Sequence, residues 1–245
     1  MGENSKEMLI QYAKFCHDKA MQANQYWLTI QQFQTFYQEG LYQNEIKVSP
    51  CFYTIVLMAL NNSLILELAK LYDADTKSLR LRDLMNKIRE NIELFPTENE
   101  IPVSNVVHFE NGEIQNDSPN EAVFCKITFD PKTELNNLNT RIKETKDIWE
   151  RLRQLRIKIY AHSDNDILKN YEQILTNNSL GKNEIETLIK LAFDIADFVL
   201  VKLTGEYIHR EYTNSDDLEK TLRLVRCGKE YYENVKIPNM LKDFY

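Results

Sequence analysis

The sequence predicts an all-α helical bundle with one irregular insertion at about residues 95–130. Three observations predict it. Apolar residues recur at steps of three and four over long stretches, the period of a helix with one buried face. Glycine and proline are scarce, at 6 each in 245 residues, and four of the six prolines fall between Pro96 and Pro131. Helix-starting pairs, Ser49-Pro50 and Asp130-Pro131, stand directly before periodic runs. The expectation is a single helical domain over 1–245, with 215–245 as a C-terminal helix and tail.

Taken in order, residues 6–42 place apolar side chains at 8, 12, 15, 16, 20, 23, 26, 27, 30, 33, 36 and 37, which is one long amphipathic helix. At 1.5 Å per residue it spans roughly 50 Å, more than a small domain needs, so part of it is expected to meet a partner. A second helix starts at Ser49-Pro50 and is apolar almost all round through residue 72, as expected of the centre of a bundle. Its polar exceptions, Asn61, Asn62, Ser63, Glu67, Lys70 and Asp73 at its end, suit amides and charges bonded across helices or within a dimer seam. Residues 79–92 form a shorter helix with Leu81, Leu84, Met85 and Ile88 inward.

Helical periodicity is lost over the insertion. Two β-like runs, Val106-Val107-His108-Phe109 and Val123-Phe124-Cys125-Lys126-Ile127, flank Glu110-Asn111-Gly112, giving a small hairpin or a loop. Asp130-Pro131 then opens one long helix to about Ala161, striped by Leu135, Leu138, Ile142, Trp149, Leu152, Leu155 and Ile159. Another helix begins near Asn165. Asn183-Glu184-Ile185-Glu186 reads as a capping box for a strongly apolar helix that Gly205 weakens or bends. The last helix, 215–232, aligns Leu218, Leu222, Val225 and Tyr232.

Composition bounds the function. With 43% hydrophobic and 27% charged residues the chain is globular in type, and a net charge of -7 argues against coating nucleic acid through overall basicity. The start is polar, without a signal pattern, and the longest apolar run, residues 55–60, is too short to cross a bilayer. Cytoplasmic placement and no membrane contact are therefore expected. Cys16, Cys51, Cys125 and Cys227 are scattered, with no Cys-x-x-Cys and no histidine at ligand spacing, so neither metal nor cofactor is expected.

The end of the long charged helix carries Leu152-Arg153-Gln154-Leu155-Arg156-Ile157-Lys158-Ile159-Tyr160-Ala161-His162-Ser163-Asp164. Arg156 is a permanent cation, and His162 is the side-chain type that exchanges protons near neutral pH. An arginine and a histidine at this spacing are a common coincidence. Their position at a helix end, before a cap and a further helix, gives them weight. The phrase resembles the abortive-infection, AbiU-like branch of the HEPN superfamily, which typically carries Leu-Arg-x-x-Arg-x-Lys-x-x-Ala-His-x-Asp. The earlier Leu68-Ala69-Lys70-Leu71-Tyr72-Asp73 resembles a second segment of that branch. The resemblance implies a HEPN-like bundle and RNA cleavage of phage-defence or toxin type by paired subunits, with an antitoxin or regulatory partner in some cases.

The chemistry can be stated on its own terms. Cutting RNA without a metal needs a base to free the 2′-hydroxyl, an acid for the leaving oxygen and a cation for the charge that builds on phosphorus. Histidine does the proton work, and arginine holds two phosphate oxygens at once. Arg156 and His162 are thus the catalytic candidates. Residues six apart on an ideal helix point about 120° apart and lie about 9 Å apart along the axis, so they converge only if the helix unwinds near Ala161 or a second subunit completes the site. A homodimer is expected on that ground. Tyr160, as phosphate donor or core tyrosine, Asp164, as orienter of His162 or helix cap, and Lys158 are the supporting residues. Between Arg141 and Lys158 seven cations stand against three acids, which makes Arg151 and Arg153 candidates for holding RNA. One departure favours a second reading: many active HEPN sites carry Asn or Asp directly after the arginine, and here it is Ile157. A non-catalytic HEPN-like RNA-binding or protein-interaction module is that alternative, and a plain helical assembly protein is a third.

Overall fold

The computed structural model describes residues 2–72, 79–103, 109–110, 113–114, 123–128, 130–157, 165–205, 210 and 216–236. Among them the order is α1 (Gly2–Gln38), α2 (Gln43–Ile46), α3 (Pro50–Tyr72), α4 (Leu81–Glu90), β1 (Glu98–Val103), β2 (Phe109–Glu110), β3 (Glu113–Ile114), β4 (Val123–Thr128), α5 (Pro131–Glu144), α6 (Lys146–Leu155), α7 (Asn165–Asn178), α8 (Lys182–Thr204) and α9 (Asp217–Tyr231). The fold is all-α, and the short strands are confined to the insertion. There β4 falls on the expected run, and it pairs antiparallel with β1, Ile101 opposite Cys125. β2 and β3 form a separate two-residue ladder. Residues 106–108 of the expected first run lie outside the described residues.

The chain divides into two compact units. The first comprises Met1–Asp18, Lys70–Arg151 and Leu180–His209. In it α4, α5 and α8 pack pairwise. α4 buries Leu81, Leu84, Met85 and Ile88, the side chains its periodicity selects. Two hydroxyl bridges tie elements together here. Tyr12 donates to the carbonyl of Arg80 at 3.1 Å and accepts from its N–H at 2.7 Å. Tyr72 donates to the carbonyl of Leu188 at 2.6 Å. Burial is what raises both phenols, Tyr12 to about 12. Phe95, at the edge of the insertion, stacks on Phe198 with centroids 5.0 Å apart.

The second unit comprises Lys19–Ala69, Leu152–Ser179 and Arg210–Tyr245. Its aromatic-rich core gathers Phe33 of α1, Tyr42, Tyr53 of α3 and Leu222 of α9, with Val56, Leu57, Leu60 and Leu218 against them. Arg226 locks α9 to the turn around α2: its Nε donates to Glu45 Oε1 at 2.6 Å, its Nη2 donates to the Leu41 carbonyl at 2.7 Å, and its guanidinium lies 4.8 Å over the Tyr42 ring. The same guanidinium holds the Glu45 carboxyl below its ordinary range.

Several expectations need correction. The long helix from Asp130 is broken at Thr145 into α5 and α6. The Thr145 hydroxyl donates to the carbonyls of Arg141 and Ile142, both at 3.1 Å, and such back-bonding competes with the regular ladder and bends helices. The capping box before α8 sits two residues earlier than expected: Gly181 is the cap, and Glu184 accepts its N–H at 2.8 Å. Gly205 ends α8 outright, with φ 73 in the left-handed region that glycine enters without a Cβ penalty. The Asp130 cap stands as expected, its carboxylate accepting the Lys132 N–H at 3.1 Å and the Thr133 hydroxyl at 2.6 Å.

The largest correction concerns α3. It is long and apolar enough to cross a membrane, although its longest wholly apolar run is short. Its second half fits the expectation of a central helix: Leu64, Ile65, Leu68, Ala69, Leu71 and Tyr72 are buried. Its first half does not. Phe52, Ile55 and Met58 are exposed, while Tyr53 is buried on the other face.

Candidate nucleic-acid interface

α6 positions the described part of the candidate site. Leu152 and Leu155 are buried, and Ile148 and Trp149 half-buried, so a three-and-four spacing fixes the inward face. Arg153 falls on the exposed face. Beyond Leu155 the backbone widens into π geometry at Arg156 and Ile157, both half-buried. Such turns interrupt the regular helical ladder and frequently occur at functional sites. Lys158, Tyr160, His162 and Asp164 lie outside the described residues, as does Ala161, where unwinding is expected. α7 starts at Asn165, where the sequence places the next helix.

The basic stretch is more neutralised than its composition suggests. Arg151 Nη2 bonds Glu184 Oε1, Arg141 Nη2 meets Asp194 Oδ2 at 2.8 Å, and Lys146 lies 3.6 Å from Glu150. Two of these three carboxylates come from α8, and no spacing rule in the sequence connects residue 141 to 194 or 151 to 184. The Gly181 N–H, followed by the Arg151 guanidinium, holds the Glu184 carboxyl below its ordinary value. Arg151 is therefore engaged with a carboxylate, and Arg153 presents its side chain outward. The structure brings neither of them into a described cluster with Arg156.

Sequence reasoning also missed a buried pair in the first unit. His17 Nε2 lies 3.9 Å from Asp197 Oδ1, and the imidazole stands edge-on to Phe193 with centroids 5.2 Å apart. A lone histidine on an apolar helix face gives no sign of an acid 180 residues away in sequence. Among the described residues no group of three His, Cys, Asp or Glu is placed to hold a metal ion.

Comparison with known proteins agrees with the helical architecture. No curated protein and no solved structure matches the chain. The AbiU2 family of HEPN domains does match, over residues 6–221, which takes in all but the first turn of α1, the described helices α2 to α8 and the start of α9. By that match the chain belongs to the AbiU2 family of the HEPN superfamily.

Proposed function

We propose that this protein is a metal-independent RNA endonuclease of abortive-infection or toxin type, acting in the cytoplasm as a homodimer. Each copy contributes one HEPN-like domain over residues 1–245, with 95–130 as its insertion. The observation that carries the reading is the Arg-x5-His phrase, Arg156 to His162, in a chain that belongs to this family. His162 takes the proton of the 2′-hydroxyl, whose oxygen attacks phosphorus. The bond to the 5′-oxygen breaks, and that oxygen leaves protonated by the second copy's histidine. Arg156 holds the phosphate oxygens and offsets the charge that builds on them. Arg153 draws the RNA backbone, while Tyr160, Lys158 and Asp164 support the pair. No metal or cofactor enters the reaction, and an antitoxin or regulatory partner restrains it.

Incubation of the protein with mixed cellular RNA in chelator tests the reading. Cleavage should proceed, yield cyclic or 3′ phosphates, spare DNA and vanish in His162→Ala with helicity intact. Dependence on added magnesium, or persistence in His162→Ala, overturns it. Ile157 supports a second reading, in which Arg156 binds phosphate without turnover. RNA binding that is lost in Arg156→Ala, with no cleavage by the wild type, selects it.

A further inference from the structure

The exposed apolar side chains are unevenly distributed. Among the described residues twelve are large and exposed; Met8 and Leu79 belong to the first unit and the other ten to the second. Three of the ten, Phe52, Ile55 and Met58, recur at a spacing of three on the first half of α3, with exposures of 58%, 66% and 61%. Cys51, Ala59 and Asn62 are exposed on the same helix face. At roughly 200 Å² for a large apolar side chain, the three principal residues alone expose about 370 Å². That already falls within the ~300–600 Å² of the largest patch on a typical monomer, and it approaches half of the ~800 Å² that each partner buries in a stable interface.

Water does not favour such a face, and the opposite side of the same helix is committed to the core through Tyr53, Val56, Leu57 and Leu60. The second half of α3 is buried in protein, and the Tyr72 hydroxyl is bonded to the Leu188 carbonyl, so the helix as a whole is not one that lipid surrounds. What fits the first half is set by its charge pattern. From residue 48 to residue 66 there is no charged side chain. A two-fold axis places a surface against itself, so any charge near it would meet its like; a charge-free stripe avoids that conflict. Asn62, exposed on the stripe, carries an amide that both donates and accepts, a group able to pair with its own copy.

We infer that the exposed first half of α3, centred on Ile55 and Met58, is the surface on which a second copy of this chain docks. The inference deepens the homodimer reading of the proposed function by naming the face that the two copies share. It leaves α9, whose Leu224 and Tyr231 are also exposed, outside the interface.

Light scattering on the full chain at micromolar concentration tests it. The wild type should be a dimer, and Ile55→Glu should raise the dissociation constant by about 100-fold or more, because the substitution sets like charges together in a drying contact. Leu224→Glu should leave the dimer intact. Because Ile55 is mostly exposed, circular dichroism of the variant should match the wild type. As an independent arm, Ile55→Cys or Met58→Cys, each in a Cys51→Ser, Cys227→Ser background, should give a disulfide-linked dimer on oxidation. A monomeric wild type, including one that instead floats with lipid vesicles, overturns the inference. So does a dimer that survives Ile55→Glu, or cross-linking that fails at both positions. RNA cleavage keeps the two readings apart: a monomeric Ile55→Glu that still cuts RNA defeats the two-subunit site and leaves the docking surface standing. A dimeric Ile55→Glu that still cuts does the reverse.

Discussion

Glu184 has two partners, and removing its charge should separate stability from RNA affinity. Its carboxylate accepts the Gly181 N–H at 2.8 Å at the start of α8 and also binds Arg151. Both side chains are about one-third exposed, so solvent screening holds the ion pair to about 0.5–1 kcal/mol. The cap contributes a similar amount. Glu184→Ala should therefore cost about 1–2 kcal/mol, or roughly 3–6 °C in Tm for a chain of this size. Glu184→Gln keeps an acceptor for the cap and should cost about half as much. The carboxyl is lowered from its ordinary value of 4.5, so its contribution is present above that value and lost as pH falls through the folded value. Thermal melts should show a constant gap between wild type and variants near neutrality that narrows as pH falls below 4.5. The same Glu184→Gln change removes the negative charge that faces Arg151 and should raise RNA affinity at low salt. Arg151→Ala should change that affinity less than Arg153→Ala, which should lower the salt slope by about 0.7 for each phosphate of single-stranded RNA that is no longer neutralised. A stability gap undiminished at about pH 3, or equal reductions of RNA affinity in Arg151→Ala and Arg153→Ala, would refute the reasoning.

Two further outcomes test the scaffold. Tyr12→Phe removes the hydroxyl that serves both the N–H and the carbonyl of Arg80; it should cost about 1–3 kcal/mol in urea denaturation with the slope unchanged. Gly205→Ala should cost about 1 kcal/mol from backbone strain alone, because φ is 73 and nothing lies within 4 Å of the added Cβ. Gly205→Asn should cost less, since asparagine tolerates that region better, and equal melting temperatures for the two variants would count against the assignment.

How much of this was legible depended on how local each cause is. The Asp130 cap and the inward face of α4 follow from residues within one or two turns, and the sequence displays them fully. The break at Thr145 is also local, but a threonine inside an apolar stripe reads equally well as a continuing helix; only its hydroxyl geometry decides. The start of α8 was displaced because the cap is a glycine, which offers no side chain to recognise, and Glu184 alone marks it. The environment of α3 was legible for its buried second half and not for its exposed first half. Hydrophobicity shows that a face avoids water, and it does not show which chain supplies the cover. For the candidate site, the helix and the position of Arg153 could be read from periodicity, whereas the capture of Arg151 and Arg141 by α8 joins residues 33 and 53 positions apart and leaves no local trace.

The path of the backbone between the two units constrains what this fold can become. Three of the crossings lie inside helices: in α1, between Asp18 and Lys19, in α3, between Ala69 and Lys70, and in α6, between Arg151 and Leu152. At each of these three the ladder of helical hydrogen bonds is continuous, so no cut there leaves a clean end. Neither unit can be excised, shuffled into another protein or melted in isolation without unravelling turns that belong to the other. New length is accommodated most easily between α4 and α5, where the strands interrupt the helices and no helical ladder has to be broken.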